Sequence, residues 1–388
     1  MEADQANFRP LEGTVVVELG DSAAAPYAGY ILASLGATVW KIERPGPGDT
    51  SRSWGSDKWK GSGPIFHGLN RGKKSVVIDI KNDEELSALK QLIATQADVF
   101  LHNLRPGTSQ RYGLDETSLC AQNPKLVHCA IGAFGSKGPL NQLPGFDPLL
   151  QAFSGIMSVT GEAGQAPVRC GISVVDLGTG MWAALGIITS LLARKSDGRG
   201  RSVDISLFET SLSLLTAVVS DYQVTEEIPT PMGSGVGFVA PYKAFCANDG
   251  YLVIACGNDR LFAKLCGVFG TQHWLEDDRF SINAQRVIHR DAINALVQEI
   301  VATRSRQEWR EAFDAAGVPC APIQTINEVV NHPQTRALGI LNAVSDDPLE
   351  LVGMPFSVNG VRPSVDRGAP DMGASNAEMN ALLNQTVD

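Results

Sequence analysis

Asp176 is a lone carboxylate in a run of apolar and small residues, Val168-Arg-Cys-Gly-Ile-Ser-Val-Val-Asp176-Leu-Gly-Thr-Gly180, set between a strand-like segment and a very apolar helix. Two readings are open. An Asp just before a helix accepts N–H bonds from the first turn and caps it. The small neighbours Gly178 and Gly180 also leave room for a bulky group against the backbone, which a cap alone does not require. A second feature is basic. Between Lys41 and Lys74 stand eight Lys/Arg (Lys41, Arg44, Arg52, Lys58, Lys60, Arg71, Lys73, Lys74) against three acidic residues, in a chain of net charge -10. Several follow predicted parallel strands, the edge where open α/β sheets bind ligands, so the cluster reads either as a phosphate site or as a solvated charge run. Third, Gly233-Ser-Gly-Val-Gly237 is either a linker or a lid whose backbone N–H groups bind a developing anion.

Other chemistries lack their signatures. The six histidines show no ligand spacing, and the seven cysteines form no CxxC pair, so zinc, other metals and disulfides are not expected. An odd, dispersed set of thiols suits a reducing, cytoplasmic compartment. The first strand-helix turn reads Gly20-Asp-Ser-Ala-Ala-Ala25 in place of GxGxxG, and no GxxxxGK[ST] loop supports ATP chemistry. Net negative charge argues against nucleic acid and anionic membranes as partners. The apolar stretch 177–193 is broken by Gly, Thr and Ser and reads as a buried core helix, not a bilayer span.

Alternation of strands and helices positions these residues. Strands at 14–19, 37–42, 75–80, 98–102, 125–131 and 202–207 are separated by helical segments, which indicates an α/β, mostly parallel, doubly wound sheet. Asp21 and Ser22 offer a cap to the first helix. From Tyr242 the rhythm changes to an antiparallel hairpin around Asn248-Asp-Gly250, followed by three helices. The expected division is a large domain at 1–224, a small α+β domain at 225–320, and a tail, 321–388, of one helix and coil that returns to the first.

Seven segments in register carry a resemblance: Lys41-Ile-Glu-Arg-Pro-Gly-Pro-Gly-Asp49, Asn70-Arg-Gly-Lys-Lys-Ser75, Asn103-Leu-Arg-Pro-Gly107 with Arg111, Gly145-Phe-Asp147, Asp176-Leu-Gly-Thr-Gly180, Gly198-Arg-Gly-Arg-Ser-Val-Asp204 and Pro241-Tyr242. Together they resemble the class III coenzyme A transferases. The resemblance implies a Rossmann-like large domain built from both chain ends, a small domain inserted between them, and two chains interlocked as a homodimer. It implies CoA as a co-substrate with no permanently bound cofactor, and transfer of CoA from an acyl-CoA to a free carboxylic acid. On this likeness Asp176 is the nucleophile, Gly235 and Gly237 belong to a loop that covers the intermediate, and Arg44, Lys73, Lys74, Asn103 and Arg111 hold the CoA phosphates. Segments around Arg52 and Arg169 are similar to those of succinyl-CoA:dicarboxylate transferases, which makes these two arginines candidates for the acceptor's distal carboxylate. Ala23 stands where formyl-CoA transferases carry Gln, which disfavours formyl or oxalyl specificity. Related racemases place a His where this chain has Phe146, and phenylalanine moves no proton. The competing activities are thus acyl-CoA racemisation or isomerisation, and acyl-CoA binding without turnover.

Overall fold

The computed structural model describes residues 8–55 and 58–385. Six strands, β1 (Val15–Leu19), β2 (Thr38–Glu43), β3 (Lys74–Val77), β4 (Val99–His102), β5 (Val127–Gly132) and β6 (Arg201–Ser206), pair in parallel in the order β3-β2-β1-β4-β5-β6. The order reverses between β1 and β4, the crevice where sheets of this type bind ligands at their carboxyl ends. Just beyond the last backbone pair there, the Asn103 amide donates to Asp21 O (2.8 Å) and accepts from Asp21 N (3.0 Å), lengthening the ladder by one side chain.

Strand alternation sorts β1 to β3 into two chemistries. Val17, Trp40, Ile42 and Val76 join an apolar core with Leu86, Leu89, Leu92 and Ile93 of the helix Asp83–Gln96. Glu18, Lys41, Glu43 and Ser75 lie on the other side, buried against the first helix, Ala24–Ser34, and its surroundings. Lys41 Nζ contacts Glu18 (3.1 Å) and Asp49 (2.6 Å); Lys73 Nζ contacts Glu18 (2.7 Å), Asn70 Oδ1 (2.9 Å) and Pro26 O (2.8 Å). Burial alone would lower Lys41, yet the carboxylates of Asp49, Glu18 and Glu43 raise it above its ordinary value. Lys73 is lowered to about 8, because burial outweighs Glu18 and the neighbouring Lys41 charge adds to it. Space for this network depends on Gly29 in the first helix: a Cβ there would stand 1.8 Å from Glu18 Oε2. Much of the basic run seen in the sequence is therefore internal charge, neutralised by carboxylates inside the fold.

Two compact units emerge. The first takes residues up to Ile156, Cys170–Ser220 and residues from Gln334 onward; the second takes Met157–Arg169 and Asp221–Pro333. The second unit contains an antiparallel sheet of β7 (Tyr242–Ala247), β8 (Gly250–Ala255) and β9 (Cys320–Pro322), with Asn248 and Asp249 forming the two-residue turn of the hairpin. Phe262, Leu265, Val297, Trp309 and Phe313, from the helices Asp259–Phe269, Arg290–Val301 and Arg306–Ala316, cover that sheet with apolar surface. Segment 157–169 joins this unit through a backbone bond from Gly233 N to Gly161 O (2.7 Å), a pairing between residues far apart in sequence. The tail departs from the coil expectation. It forms a hairpin, β10 (Leu341–Val344) and β11 (Asp347–Val352), and ends in the helix Asn376–Asn384, whose Met379 and Leu383 complete the core beside Trp40.

Candidate active site

The helix Val174–Asp197 has Ser173 at its N-cap, without a side-chain bond, and Asp176 in its first turn. The cap comes from another element. Asp147, 2% exposed at the start of the helix Asp147–Phe153, accepts both Val175 N (2.9 Å) and Asp176 N (3.2 Å) with Oδ2. Its Oδ1 takes Gln151 Nε2 (2.5 Å), and Gln151 Oε1 takes Cys170 N (2.8 Å). The capping role read for Asp176 thus belongs to Asp147. Among the described residues the Asp176 carboxylate has no hydrogen-bond partner. Burial first, and the Asp147 charge second, push it up to about 7. At neutral pH it is divided between acid and carboxylate, and the ionised form is poorly solvated, a favourable state for a nucleophile.

The space at Gly178 and Gly180 is filled by the protein itself. A Cβ on Gly180 would meet Ala24 O at 2.7 Å and one on Gly178 would meet Thr210 Cγ2 at 3.0 Å, so these positions allow helices to pack closely and do not open a ligand channel. The helix is also not wholly buried. Val175, Ala183, Ala184, Ile187 and Leu191 face inward, while Met181, Trp182, Leu185 and Leu192 are roughly half exposed or more. By length and composition it would suffice to cross a bilayer, but one face packs on the first helix and on β5 and β6.

Arg44 and Asn103 meet around Asp21 at the carboxyl edge of the sheet. Arg44 is exposed, donates to Gly48 O and Thr50 Oγ1 (both 3.0 Å), and lies 3.7 Å from Asp21 Oδ2. Asp21 and Ser22 do not cap the first helix as expected: Asp21 binds Thr50 N and Oγ1 (both 2.9 Å), and Ser22 adopts φ +73°. Ala23 is the N-cap and supplies no side-chain bond, and among the described residues the Ala24 and Ala25 N–H groups have no acceptor, an arrangement suited to phosphate. Arg111 is exposed, its guanidinium over the Tyr112 ring.

Three expected ligand contacts meet geometry that opposes them. Lys73 has no exposed side-chain surface and spends its three donors inside the fold. Lys74 points to the opposite face of β3, pairing with Glu378 and lying 4.8 Å from the Trp40 ring centroid. Arg52 grips Glu43 with two bonds of 2.7 Å, adds Ser62 Oγ and Pro370 O, and stacks over Phe66 at 3.7 Å, which leaves its fork occupied. Arg169, Gly235 and Gly237 lie in the second unit, Arg169 exposed. Phe146, beside Asp147, is largely exposed and carries no titratable group. Sequence reasoning missed the roles of Asp147 and Gln151; the available signal was an Asp followed by Pro148 at a helix start.

A parallel sheet with the strand order of dinucleotide-binding folds, an uncapped first helix at its crevice and an unpartnered carboxylate near neutral pKa together describe a Rossmann-like enzyme with a candidate acid nucleophile. The chain belongs to CoA-transferase family III, whose model matches residues 11–376. It is 32% identical to a succinate–glutarate CoA-transferase of Agrobacterium fabrum, over 98% of this chain and 96% of that one. It is 33% identical to an acetyl-CoA:oxalate CoA-transferase of Acetobacter aceti, over 95% of each. Among solved structures, a CAIB/BAIF family protein from Brucella suis superposes with a TM-score of 0.89 at 34% identity, covering 97% of this chain and 100% of that one. The enzyme is thus a family III CoA-transferase, with CoA thioesters as co-substrates. Relatives named for glutarate and for oxalate stand at nearly equal identity, so similarity does not rank acceptor lengths.

Proposed function

We propose that the protein moves CoA from succinyl-CoA to a free dicarboxylic acid with Asp176 as the covalent carrier. The observation that carries this reading is the Asp176 carboxylate itself, partly buried, without a partner, and pushed up to about 7. An Asp176 oxygen attacks the donor carbonyl carbon, the C–S bond breaks, and CoA thiolate leaves a mixed anhydride. The thiolate then attacks the Asp176 carboxyl carbon, the anhydride C–O bond breaks, and the donor acid departs as carboxylate. The resulting aspartyl-CoA thioester undergoes the same two steps in reverse with the acceptor acid. One thioester is exchanged for another, with no net proton and no ATP.

In this proposal Arg44, Asn103 and Arg111 hold the CoA phosphates beside the open N-terminus of the first helix. The loop with Gly235 and Gly237 covers the thioester from water. The distal acceptor carboxylate is assigned in this proposal to Arg169, one of the two arginines that the resemblance to succinyl-CoA:dicarboxylate transferases implies. Two copies associate through Met181, Trp182, Leu185 and Leu192, because so continuous an apolar stripe on one helix is costly in water; a solution mass near twice 41.4 kDa is expected, and a mass of one chain contradicts it. The seven free cysteines support a reducing, cytoplasmic setting.

Acceptor choice is tested with succinyl-CoA and two five-carbon acids, glutarate and pentanoate. A charge-assisted bidentate contact of ~2 kcal/mol gives glutarate an advantage of roughly 30-fold in kcat/KM, and Arg169→Ala removes most of it. Equal rates for the two acids overturn the dicarboxylate reading. An advantage that survives Arg169→Ala removes Arg169 from it.

A further inference from the structure

Two buried histidines stand outside the site described above. His128 of β5 lies across from Phe100 of β4 in the sheet register, and His102 follows two places on along β4, so strand alternation sends both rings to the face that carries Phe100 and its apolar core. Each is 4% exposed. The Phe100 ring packs against both, with centroids at 5.3 Å and 5.7 Å, and the two imidazoles meet edge to face at 5.1 Å.

Their hydrogen bonds decide where the protons sit. Leu104 N donates to His102 Nδ1 (3.3 Å), so that nitrogen offers a lone pair and the ring proton is on Nε2. His128 Nε2 lies 3.2 Å from Leu114 O, a carbonyl that only accepts, so the His128 proton is also on Nε2 and its Nδ1 is bare. What remains is one buried donor, His102 Nε2, and one buried acceptor, His128 Nδ1, neither with a partner among the described residues. The two are complementary only while both rings are neutral. Burial first, and the His128 charge second, lower His102 to about 3. Burial also lowers His128, against the Leu114 carbonyl and the charges of Glu116, Asp204 and Asp115 that face it.

Both rings act on one segment. It runs from Leu104 to Leu114, contains the helix Thr108–Tyr112, and leaves the sheet at the carboxyl end of β4, beside the crevice where the strand order reverses. Its Arg105 and Arg111 are exposed. The other backbone bonds of the segment stay inside it: Thr108 N to Arg105 O, Arg111 N to Gly107 O, Gly113 N to Gln110 O and Leu114 N to Ser109 O. Among the described residues, then, the two imidazoles tie its backbone to the sheet, one at each end. An apolar side chain would fill either position in the core without supplying that tie.

We infer that His102 and His128 are positioning residues which, as neutral imidazoles protonated on Nε2, clamp both ends of the Leu104–Leu114 segment and so hold Arg105 and Arg111 at the crevice for the phosphates of a CoA thioester. This deepens the proposed phosphate role of Arg111 and rests on it. Neither histidine takes part in the transfer chemistry, so their loss weakens CoA binding and leaves kcat at saturation nearly unchanged.

Amide substitutions separate the two ring nitrogens. Asparagine places its amide group near the position of Nδ1 and glutamine near that of Nε2, so His102→Asn and His128→Gln keep the bond that each ring makes, whereas His102→Gln and His128→Asn lose it. Calorimetric affinity for CoA is expected to fall about tenfold in the second pair and to stay within about twofold of wild type in the first. In wild type labelled with 15N-histidine, imidazole NMR at about pH 5 should show two rings still neutral and protonated on Nε2. A charged ring there, or a proton on Nδ1 of either, overturns the inference even where the variants fold poorly. Asn and Gln variants that bind CoA alike at both positions, while Arg111→Ala binds it more weakly, overturn the clamp alone. An affinity unchanged in Arg111→Ala overturns the phosphate reading beneath it.

Discussion

Asp176→Asn abolishes CoA transfer, lowering kcat at least ~10⁴-fold, and yet produces a chain more stable than wild type above pH 7. The kinetic loss follows from removing the covalent carrier, for which an amide is no substitute. The gain in stability follows from linkage. An Asp with an unfolded pKa near 3.8 and a folded pKa of about 7 binds a proton in the folded state that the unfolded chain has already lost. Stability therefore falls as pH rises from about 4 to about 7, by up to ~1.4 kcal/mol per pH unit, and is level above that. Asp176 is only partly buried, so the whole cost is on the order of 2–4 kcal/mol. Asparagine escapes it. Unfolding midpoints of the two proteins should lie close together below about pH 4 and separate to their full difference by pH 8, with the mutant higher. A mutant no more stable than wild type at pH 8 would show that the carboxylate has found a partner.

Replacement of Asp147 gives the second large effect, and two variants separate its charge from its shape. Asp147→Ala removes the acceptor for Val175 N and Asp176 N, and loss of such a cap costs ~1–2 kcal/mol. Asp176 is then free to turn back and cap its own helix, which would lower its pKa and move the reacting oxygen by an ångström or more. Misplacement on that scale costs on the order of 10²-fold in kcat. Asp147→Asn keeps an oxygen at the helix N-terminus but removes the negative charge, so the acidic limb of the kcat–pH profile moves to lower pH while most of the stability remains. If the acidic limb stays in place in Asp147→Asn, the Asp147 charge has no part in holding Asp176 near 7.

Much of the main sheet is legible because its strands are covered on both faces and so appear as continuous apolar runs such as Val15-Val-Val17 and Val99-Phe-Leu101. Asp176 is visible because no other charge stands near it in the chain. What stays hidden depends on partners remote in sequence. Asp147 lies 29 positions from the N–H it caps, so local pattern assigns the cap to the nearest acid instead. The basic run suggested a surface site because its window excludes Glu18 and Glu378, which neutralise Lys73 and Lys74. The setting of Arg52 is hidden for the complementary reason: Glu43 stands nine positions away, yet only the fold reveals that Nε and Nη2 of the guanidinium are spent on it. In the tail, among the described residues β10 and β11 pair only with each other, and Leu341-Asn-Ala-Val344 is too short to announce a strand.

The most direct measurement is peptide mass mapping of the protein after incubation with succinyl-CoA and quenching with hydroxylamine, for wild type and Asp176→Asn. Hydroxylamine attacks an aspartyl anhydride or thioester and leaves a hydroxamate on the side chain that carried the acyl group. The account predicts that modification at Asp176 in wild type, dependent on succinyl-CoA, and no modification in the mutant. Transfer to an acceptor acid that proceeds with Asp176 unmodified, or that survives in Asp176→Asn, would contradict it.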